Sequence, residues 1–367
     1  MTLPRKRVAG LSIAHVVDEG AWGGLATFLA NLILSQASDE KIGEIHLIGD
    51  LDQMEPALRQ MPVFFHDYRS NRRLKKALGV SAAIGKHLRS IRPDIVILHS
   101  SFPGFWGRLI RRPSWKIVYC AHGWAFSQHV GAVKRSLYRL AERLLSRHTD
   151  AIVSISGAEF RAGEDAGIRP DLHKMIGHGL MPAIAVRCEV LPVSPDAINL
   201  LFIGRFDRQK GLDILLDALD DPKLAHITLW VVGRNIIGAG IDVPERSNVR
   251  LLGWIQNDQI DGIIVQMDAV IVPSRWEGFG LVALEAMRNS RPVIASSVGG
   301  LAEIVEDGLN GRILDISDLE QIRHVLKDLR KPDLERMGKS AFAMFQKKYV
   351  WSRCYDDWRA LIAKISG

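Results

Sequence analysis

The sequence predicts an α/β protein of two domains, each built on a parallel sheet covered by helices. Three observations carry that expectation. A chain of 367 residues with 47% hydrophobic and 24% charged side chains is long enough to bury two separate cores. Short, near-continuous apolar runs recur at residues 8–17, 45–48, 95–98, 117–121, 152–155, 200–203, 228–232, 249–252, 269–272 and 293–295, as in strands covered on both faces. Helical periodicity fills the gaps at 25–34, 81–91, 133–145 and 212–219, and alternating strand and helix builds parallel sheets.

So many strands would crowd one sheet. The alternation pauses at Glu189-Val-Leu-Pro-Val-Ser-Pro195 and restarts at Asn199, which places the boundary there and gives domains of residues 1–193 and 194–349. The tail, 342–365, is helical in pattern and carries Phe345, Tyr349, Trp351, Tyr355 and Trp358, a set that needs a large surface to pack on.

Composition excludes several classes. Cys120, Cys188 and Cys354 are odd in number and widely spaced, which fits neither a disulfide framework nor a zinc cluster and points to a reducing compartment. Arg5-Lys6-Arg7 before residues 8–17 resembles a signal peptide, but His15 breaks the run and Asp18-Glu19 ends it without a small-residue cleavage site. No window reaches the roughly 18 uninterrupted apolar residues of a spanning helix. Net charge is +7; residues 1–185 hold 25 Lys and Arg against 16 Asp and Glu, and the remainder 23 against 25. A basic N-terminal half expects an anionic partner: phospholipid headgroups, a lipid diphosphate or nucleic acid.

Open parallel sheets bind ligands beyond the carboxyl ends of their strands, where loops lead into helix N-termini. After the first strand comes Asp18-Glu-Gly-Ala-Trp-Gly23-Gly24, whose paired glycines let a ligand reach the backbone and the helix behind it; a tight turn would read the same way. After residues 200–203 comes Gly204-Arg205-Phe206-Asp207-Arg208-Gln209-Lys210-Gly211. Its two cations at a helix start suit two phosphates, or a solvated basic turn. The third loop is the richest: a strand ends at Pro273, Glu277-Gly278-Phe279-Gly280 follow, and a helix begins near Leu281, with Glu285 about one turn inside it. Amides of Gly280, Leu281 and Val282 would hold an anion between two carboxylates, the set of groups a nucleotide-diphosphate sugar requires. Tyr119-Cys-Ala-His122-Gly123 puts a histidine after an N-terminal strand, to polarise a developing charge, position a hydroxyl or complete a turn.

These residues resemble glycosyltransferase family 4, retaining enzymes of the GT-B architecture: two Rossmann-like domains with parallel sheets facing across a cleft. The likeness spans nearly the whole chain. Its most specific part is Glu277, seven residues, then Glu285, framed by Pro273-Ser274, Pro292-Val293-Ile294-Ala295 and Gly299-Gly300-Leu301-Ala302-Glu303. The resemblance implies that Arg205 and Lys210, beside Gly204, clamp the diphosphate and stabilise the leaving group, and that the backbone of Gly278, Phe279, Gly280, Leu281 and Val282 completes the cradle. It implies that Glu285 holds the ribose, that Glu277 contacts the donor sugar, and that His122 stands beside it as a further catalytic residue. Gly23 and Gly24 would meet the donor phosphate or the acceptor; Gly233, Trp254 and Ile255 would meet the nucleotide.

The same resemblance implies a helix at 350–367 packing back on the first domain. It implies no metal or other cofactor, with a UDP-sugar, or GDP-mannose second, as co-substrate. Two positions depart from the family pattern: Ala26, where many relatives carry Glu or Gln, and Gly233-Arg234, without a second nearby glycine. The segment His99-Ser-Ser-Phe-Pro-Gly-Phe-Trp-Gly-Arg108 looks closest to bacterial members that extend lipid-linked saccharides for capsule, O-antigen or exopolysaccharide. That implies a cytoplasmic enzyme, peripheral on the inner face of the cell membrane, with a saccharide or lipid-linked saccharide acceptor and no nucleic acid. The basic stretch Arg69, Arg72, Arg73, Lys75, Lys76 and the helical series Lys134, Arg135, Arg139, Arg143, offset from Leu137, Leu140 and Leu144, would then face an anionic bilayer. The alternatives are a nucleotide-sugar epimerase of the same architecture and a non-catalytic scaffold.

Overall fold

The computed structural model describes residues 10–18, 23–68, 74–110, 114–128, 130–183, 189–235 and 240–367, with the backbone alone at 74–78. The side chains of Arg5, Lys6, Arg7, Arg69, Arg72, Arg73, Lys75, Lys76 and Cys188, and residues 19–22 of the first glycine loop, lie outside the described residues. The chain divides into two compact units, Met1–His178 with Cys354–Gly367, and Gly179–Arg353.

The first unit holds a seven-stranded parallel sheet of β1 (Leu11–Val16), β2 (Ile42–Gly49), β3 (Phe64–Asp67), β4 (Ile95–His99), β5 (Lys116–Cys120), β6 (Ala151–Ser154) and β7 (His173–Met175), in the order β3-β2-β1-β4-β5-β6-β7. Strands grow outward from β1 to β3, then return to place β4 on the other side of β1, with Val16 opposite Leu98. The second unit repeats the plan with β8 (Ile198–Ile203), β9 (Ile227–Val232), β10 (Val249–Gly253), β11 (Ala269–Val272), β12 (Val293–Ser296) and β13 (Gly311–Leu314), in the order β10-β9-β8-β11-β12-β13. Strand order therefore reverses between β1 and β4 and again between β8 and β11, and such reversals open the crevices in which these folds bind ligands.

Burial on both faces explains the apolar runs. Alternate β2 residues serve opposite cores, Leu47 packing with Leu29 and Ile33 and Ile48 with Val16 and Leu98, because successive strand side chains point to opposite faces. Each such side chain, fully buried, contributes about 1.5–3 kcal/mol. Strands β3, β7 and β13 lie outside the apolar runs read from sequence. Each is a sheet edge of three or four residues, paired on one side only, so no continuous apolar segment marks it.

The division between units falls at 178/179, ahead of the 193/194 read from the two prolines. Leu180 N–H donates to the Tyr349 carbonyl at 2.9 Å, Trp351 N–H to the Leu180 carbonyl at 2.9 Å, and Leu191 N–H to Gln266 Oε1 at 2.8 Å. Those bonds tie Leu180 and Leu191 to the second unit. The same contact splits the tail into two helices, Lys331–Lys348 and Trp351–Ser366. From Cys354 onward the last helix belongs to the first unit: Trp358 is buried with its ring 6.0 Å from Phe28, and Asp39 accepts from Tyr355 at 3.1 Å and pairs with Arg359 at 3.2 Å. Among the described residues no helix is long and apolar enough to cross a membrane.

Candidate active site

In the second unit the loops after β8 and β11 interlock at the strand-order reversal. Gly211 has φ 71°, and a Cβ there would lie 2.0 Å from the Pro273 carbonyl oxygen, so only glycine lets the loops meet. Arg275 N–H donates to the Gln209 carbonyl at 2.8 Å. Gln209 Nε2 donates to the Trp276 carbonyl at 3.1 Å, and the Arg275 guanidinium takes both oxygens of Asp213 at 2.8 and 2.7 Å. A two-pronged charged pair of this kind fixes orientation as well as distance.

That framework brings Lys210 and Glu277 together, Nζ to Oε2 at 2.7 Å, with Ser274 Oγ donating to the same oxygen at 3.1 Å. The pair is one that sequence spacing had placed on separate ligand groups. Arg205 lies on the same loop, 3.1 Å from Asp207 Oδ2 and 2.7 Å from Gln209 Oε1. The Glu277-Gly278-Phe279-Gly280 loop rests on Gly299 and Gly300: a Cβ at Gly299 would lie 1.8 Å from the Glu277 oxygen, and one at Gly300 2.5 Å from the Phe279 oxygen. Gly280, at φ 98°, caps the helix Leu281–Arg288, whose first amides, including those of Leu281 and Val282, have no carbonyl one turn earlier to bind.

Glu285, one turn into that helix, has its carboxyl pushed up to about 7, first by burial and then by Asp261, against the pull of Arg288 and Lys210. Arg288 is held by Asp261 at 2.8 Å. Gly204 N–H donates to the Val232 carbonyl at 3.0 Å and Gly233 N–H to the Gly253 carbonyl at 2.8 Å. A Cβ on Gly233 would lie 1.8 Å from the Gly204 oxygen, so these two strand ends touch through glycine. Beyond them the Arg234 guanidinium lies over the half-exposed Trp254 ring at 4.7 Å, with Ile255 partly covered beside it.

The first unit presents different chemistry at its own reversal. His122 follows β5 at φ 51° and Gly123 at φ 107°, a strained turn that the Glu159 carboxylate holds by accepting from Gly123 N–H and Ile155 N–H, both at 2.6 Å. Burial pushes the Glu159 carboxyl up to about 7. His122 Nε2 is 3.1 Å from His99 Nδ1, His99 Nε2 is 3.0 Å from His15 Nδ1, and His15 Nε2 is 2.7 Å from Gln36 Oε1. His178 stacks on His122 at 5.8 Å, and Phe28 stands edge-on to both. Burial lowers every one of these histidines, His15 to about 4 and His122 to about 3, with His99 and His178 well below the usual value. At neutral pH His122 is uncharged and suited to positioning a hydroxyl.

Gly23, at φ 63° with open space around its Cα, donates its N–H to Glu55 Oε2 at 3.2 Å, and Gly24 begins the helix Gly24–Ala37. Sequence reasoning missed Gln36, Glu159 and His178. For Gln36 a signal existed: it continues the buried stripe Phe28, Leu29, Leu32, Ile33, where a polar residue needs a partner. Glu159 and His178 meet His122 through the turn of the chain alone. Among the described residues no group of three or more His, Cys, Asp or Glu is placed to hold a metal ion.

Residues 197–331 match the family described as glycosyl transferases group 1, and residues 23–179 the glycosyl transferase 4-like domain. A Klebsiella pneumoniae protein, described as an uncharacterized 41.2 kDa protein in the cps region, is 30% identical over 329 residues, 86% of this chain and 89% of that one. The fold is similar to that of Anabaena Alr3699/HepE, solved with UDP and glucose, at a TM-score of 0.77 and 18% identity over 96% of this chain and 99% of that one. It is similar also to the lipopolysaccharide outer core galactosyltransferase WaaB in its apo form, at 0.70 and 20% identity over 96% and 100%.

Proposed function

The chain belongs to glycosyltransferase family 4 and has the two parallel-sheet domains of the GT-B fold, and on that premise we propose that it transfers a sugar from a nucleotide-diphosphate sugar to a saccharide acceptor with retention and without a metal. The observation that carries the reading is the Lys210 and Glu277 pair, with Arg205 on the same loop, at the β8/β11 reversal. An arriving diphosphate competes for Lys210 and Arg205, and the released Glu277 carboxylate then accepts from hydroxyls of the sugar. Glu285 takes the ribose hydroxyls, and its half-protonated carboxyl can accept or donate.

The bond from the anomeric carbon to the diphosphate oxygen breaks with its electron pair leaving on the nucleotide. The acceptor hydroxyl attacks from the same face and its proton passes to the departing phosphate. Arg205 and Lys210 stabilise the charge that develops on the leaving group, and neutral His122 positions a hydroxyl of the reacting sugar. The solved relative bound to UDP and glucose supports a UDP-sugar donor, with GDP-mannose the second candidate. The relative from a cps region and the lipopolysaccharide enzyme support a place in bacterial surface polysaccharide synthesis.

A lipid-linked acceptor is favoured by the helix Ala132–Leu145. Val133, Leu137, Leu140 and Leu144 form one stripe, 76%, 58%, 53% and 48% exposed, flanked by Lys134, Arg135, Arg139 and Arg143. An apolar stripe turned to solvent between cations fits an anionic bilayer surface. Release of nucleotide from a panel of UDP-sugars and GDP-mannose, with and without saccharide acceptor, tests the function. Acceptor-dependent release from one donor supports transfer; an epimer formed without acceptor points to the isomerase, and binding of neither UDP nor GDP to a scaffold.

A further inference from the structure

The three histidines at the β1/β4 reversal make a continuous hydrogen-bonded chain that ends on a single amide. Gln36, fully buried on the helix Gly24–Ala37, lies 2.7 Å from His15 Nε2 through Oε1, and its Nε2 is a buried nitrogen without a hydrogen-bond partner. His15 and His99 are fully buried. No member of the chain beyond His122 opens to solvent, so a proton could not leave through it.

A neutral imidazole has one N–H and one bare nitrogen, so each link dictates the next. With Gln36 Oε1 as acceptor, His15 carries its proton on Nε2 and offers bare Nδ1 to His99. His99 then carries its proton on Nε2 and offers bare Nδ1 to His122, which in turn carries its proton on Nε2. The nitrogen outside the chain, His122 Nδ1, is left as an acceptor.

We infer that Gln36 is a positioning residue that acts through His15 and His99 to lock His122 in the Nε2–H tautomer, so that Nδ1 accepts a hydrogen bond from a substrate hydroxyl. Burial keeps all three rings neutral, which the relay requires. The meaning for catalysis rests on the proposed place of His122 beside the reacting sugar; the tautomer itself does not.

The test is therefore read first in the substrate-free protein. Ring nitrogen shifts of uniformly ¹⁵N-labelled full-length chain, with His122 assigned by its loss in His122→Gln, report the tautomer. The expected result is a single Nε2–H form, and a predominant Nδ1–H form overturns the inference without any variant. Gln36→Met, which keeps the length and removes the acceptor, is expected to give a mixture of tautomers at His122. Phe28→Leu removes a ring contact to His122 at 5.2 Å but no link of the chain, and is expected to keep the single form. A His122 tautomer unmoved in Gln36→Met, or moved equally in Phe28→Leu, also overturns it. In transfer assays Gln36→Met is expected to lower kcat about three- to tenfold, the size of one hydrogen bond, with donor KM unchanged. A locked tautomer with full transfer in His122→Gln would instead retire the proposed role of His122.

Discussion

At the β8/β11 reversal the loops carry Arg205, Lys210 and Glu277, with Glu285 in the helix behind them; Lys210 meets Glu277 across the two loops, and Arg205 meets Asp207 on its own. At the β1/β4 reversal they carry His15, His99 and His122, neutral rings joined end to end and buried against a helix. The two sheets share the same order over six strands, the first adding β7 at its edge, and the chemistry differs. A parallel sheet with a reversal fixes where a site forms, while the residues placed on the loops decide whether it answers to charge or to hydrogen-bond direction. Under the proposed function the charged site exchanges one partner for another, Glu277 for a phosphate. The neutral histidines have no charge to exchange, and under the same proposal they serve by orientation.

The largest expected effect strikes the charged site. Lys210→Ala is expected to lower kcat/KM about 10²- to 10³-fold, the scale seen when a group stabilising developing charge is removed, with the thermal midpoint little changed; a loss under fivefold would move the diphosphate elsewhere. Arg275→Ala leaves the proposed diphosphate and sugar contacts in place but loosens the join between the two loops by removing the Asp213 pair. A misplacement of ångström size costs up to about a hundredfold, so a roughly 10- to 100-fold fall in kcat is expected in steady-state assays.

Stability against pH has opposite signs for the histidines of the first reversal and for Glu285 of the second, while Glu159 under the His122 turn, also raised to about 7, follows Glu285. The folded-state values of His15 and His122, about 4 and 3, lie below the usual 6.5, so the unfolded chain binds protons first. Their contribution is present above pH 6.5 and is lost as pH falls, at up to about 1.4 kcal/mol per histidine for each unit. Glu285, raised to about 7, contributes below pH 4.5 and loses that contribution as pH rises through 7. Glu285→Gln is therefore expected to raise the unfolding midpoint of the second unit at pH 8 and leave it unmoved at pH 4. Hydrogen exchange should show β1 and β4 losing protection between pH 6.5 and 4. The smallest effect on stability, within about 0.5 kcal/mol, is expected of Leu137→Glu with Leu140→Glu, since both side chains are already exposed. Cosedimentation with anionic vesicles is the measurement, and binding equal to that of the unchanged chain would remove the membrane-facing stripe.

Much of this was legible beforehand. Apolar runs marked every interior strand, because a strand buried on both faces must be largely apolar, with exceptions such as His15 and His99 that find buried hydrogen-bond partners. The glycine loops were legible because a strand end that touches another backbone excludes Cβ, as at Gly211 and Gly233. The edge strands β3, β7 and β13 were not, since one-sided pairing over three or four residues leaves only a short signature, whereas the edge strand β10 showed in the run at 249–252. The direct bond between Lys210 and Glu277 was also hidden: 67 residues separate them, and spacing along the chain says nothing of which loops interlock.

By itself the sequence determined the two-sheet plan, the family and the residue types at each strand end, all of which follow from local periodicity and steric rules. The folded structure alone decided partnership. Gln36, His15, His99 and His122 lie far apart in the chain, and only the placing of β4 between β1 and β5 brings the three rings into hydrogen-bond reach of one another. A neutral imidazole takes its direction from its neighbour, and neighbours across a parallel sheet are set by strand order, which no local pattern encodes.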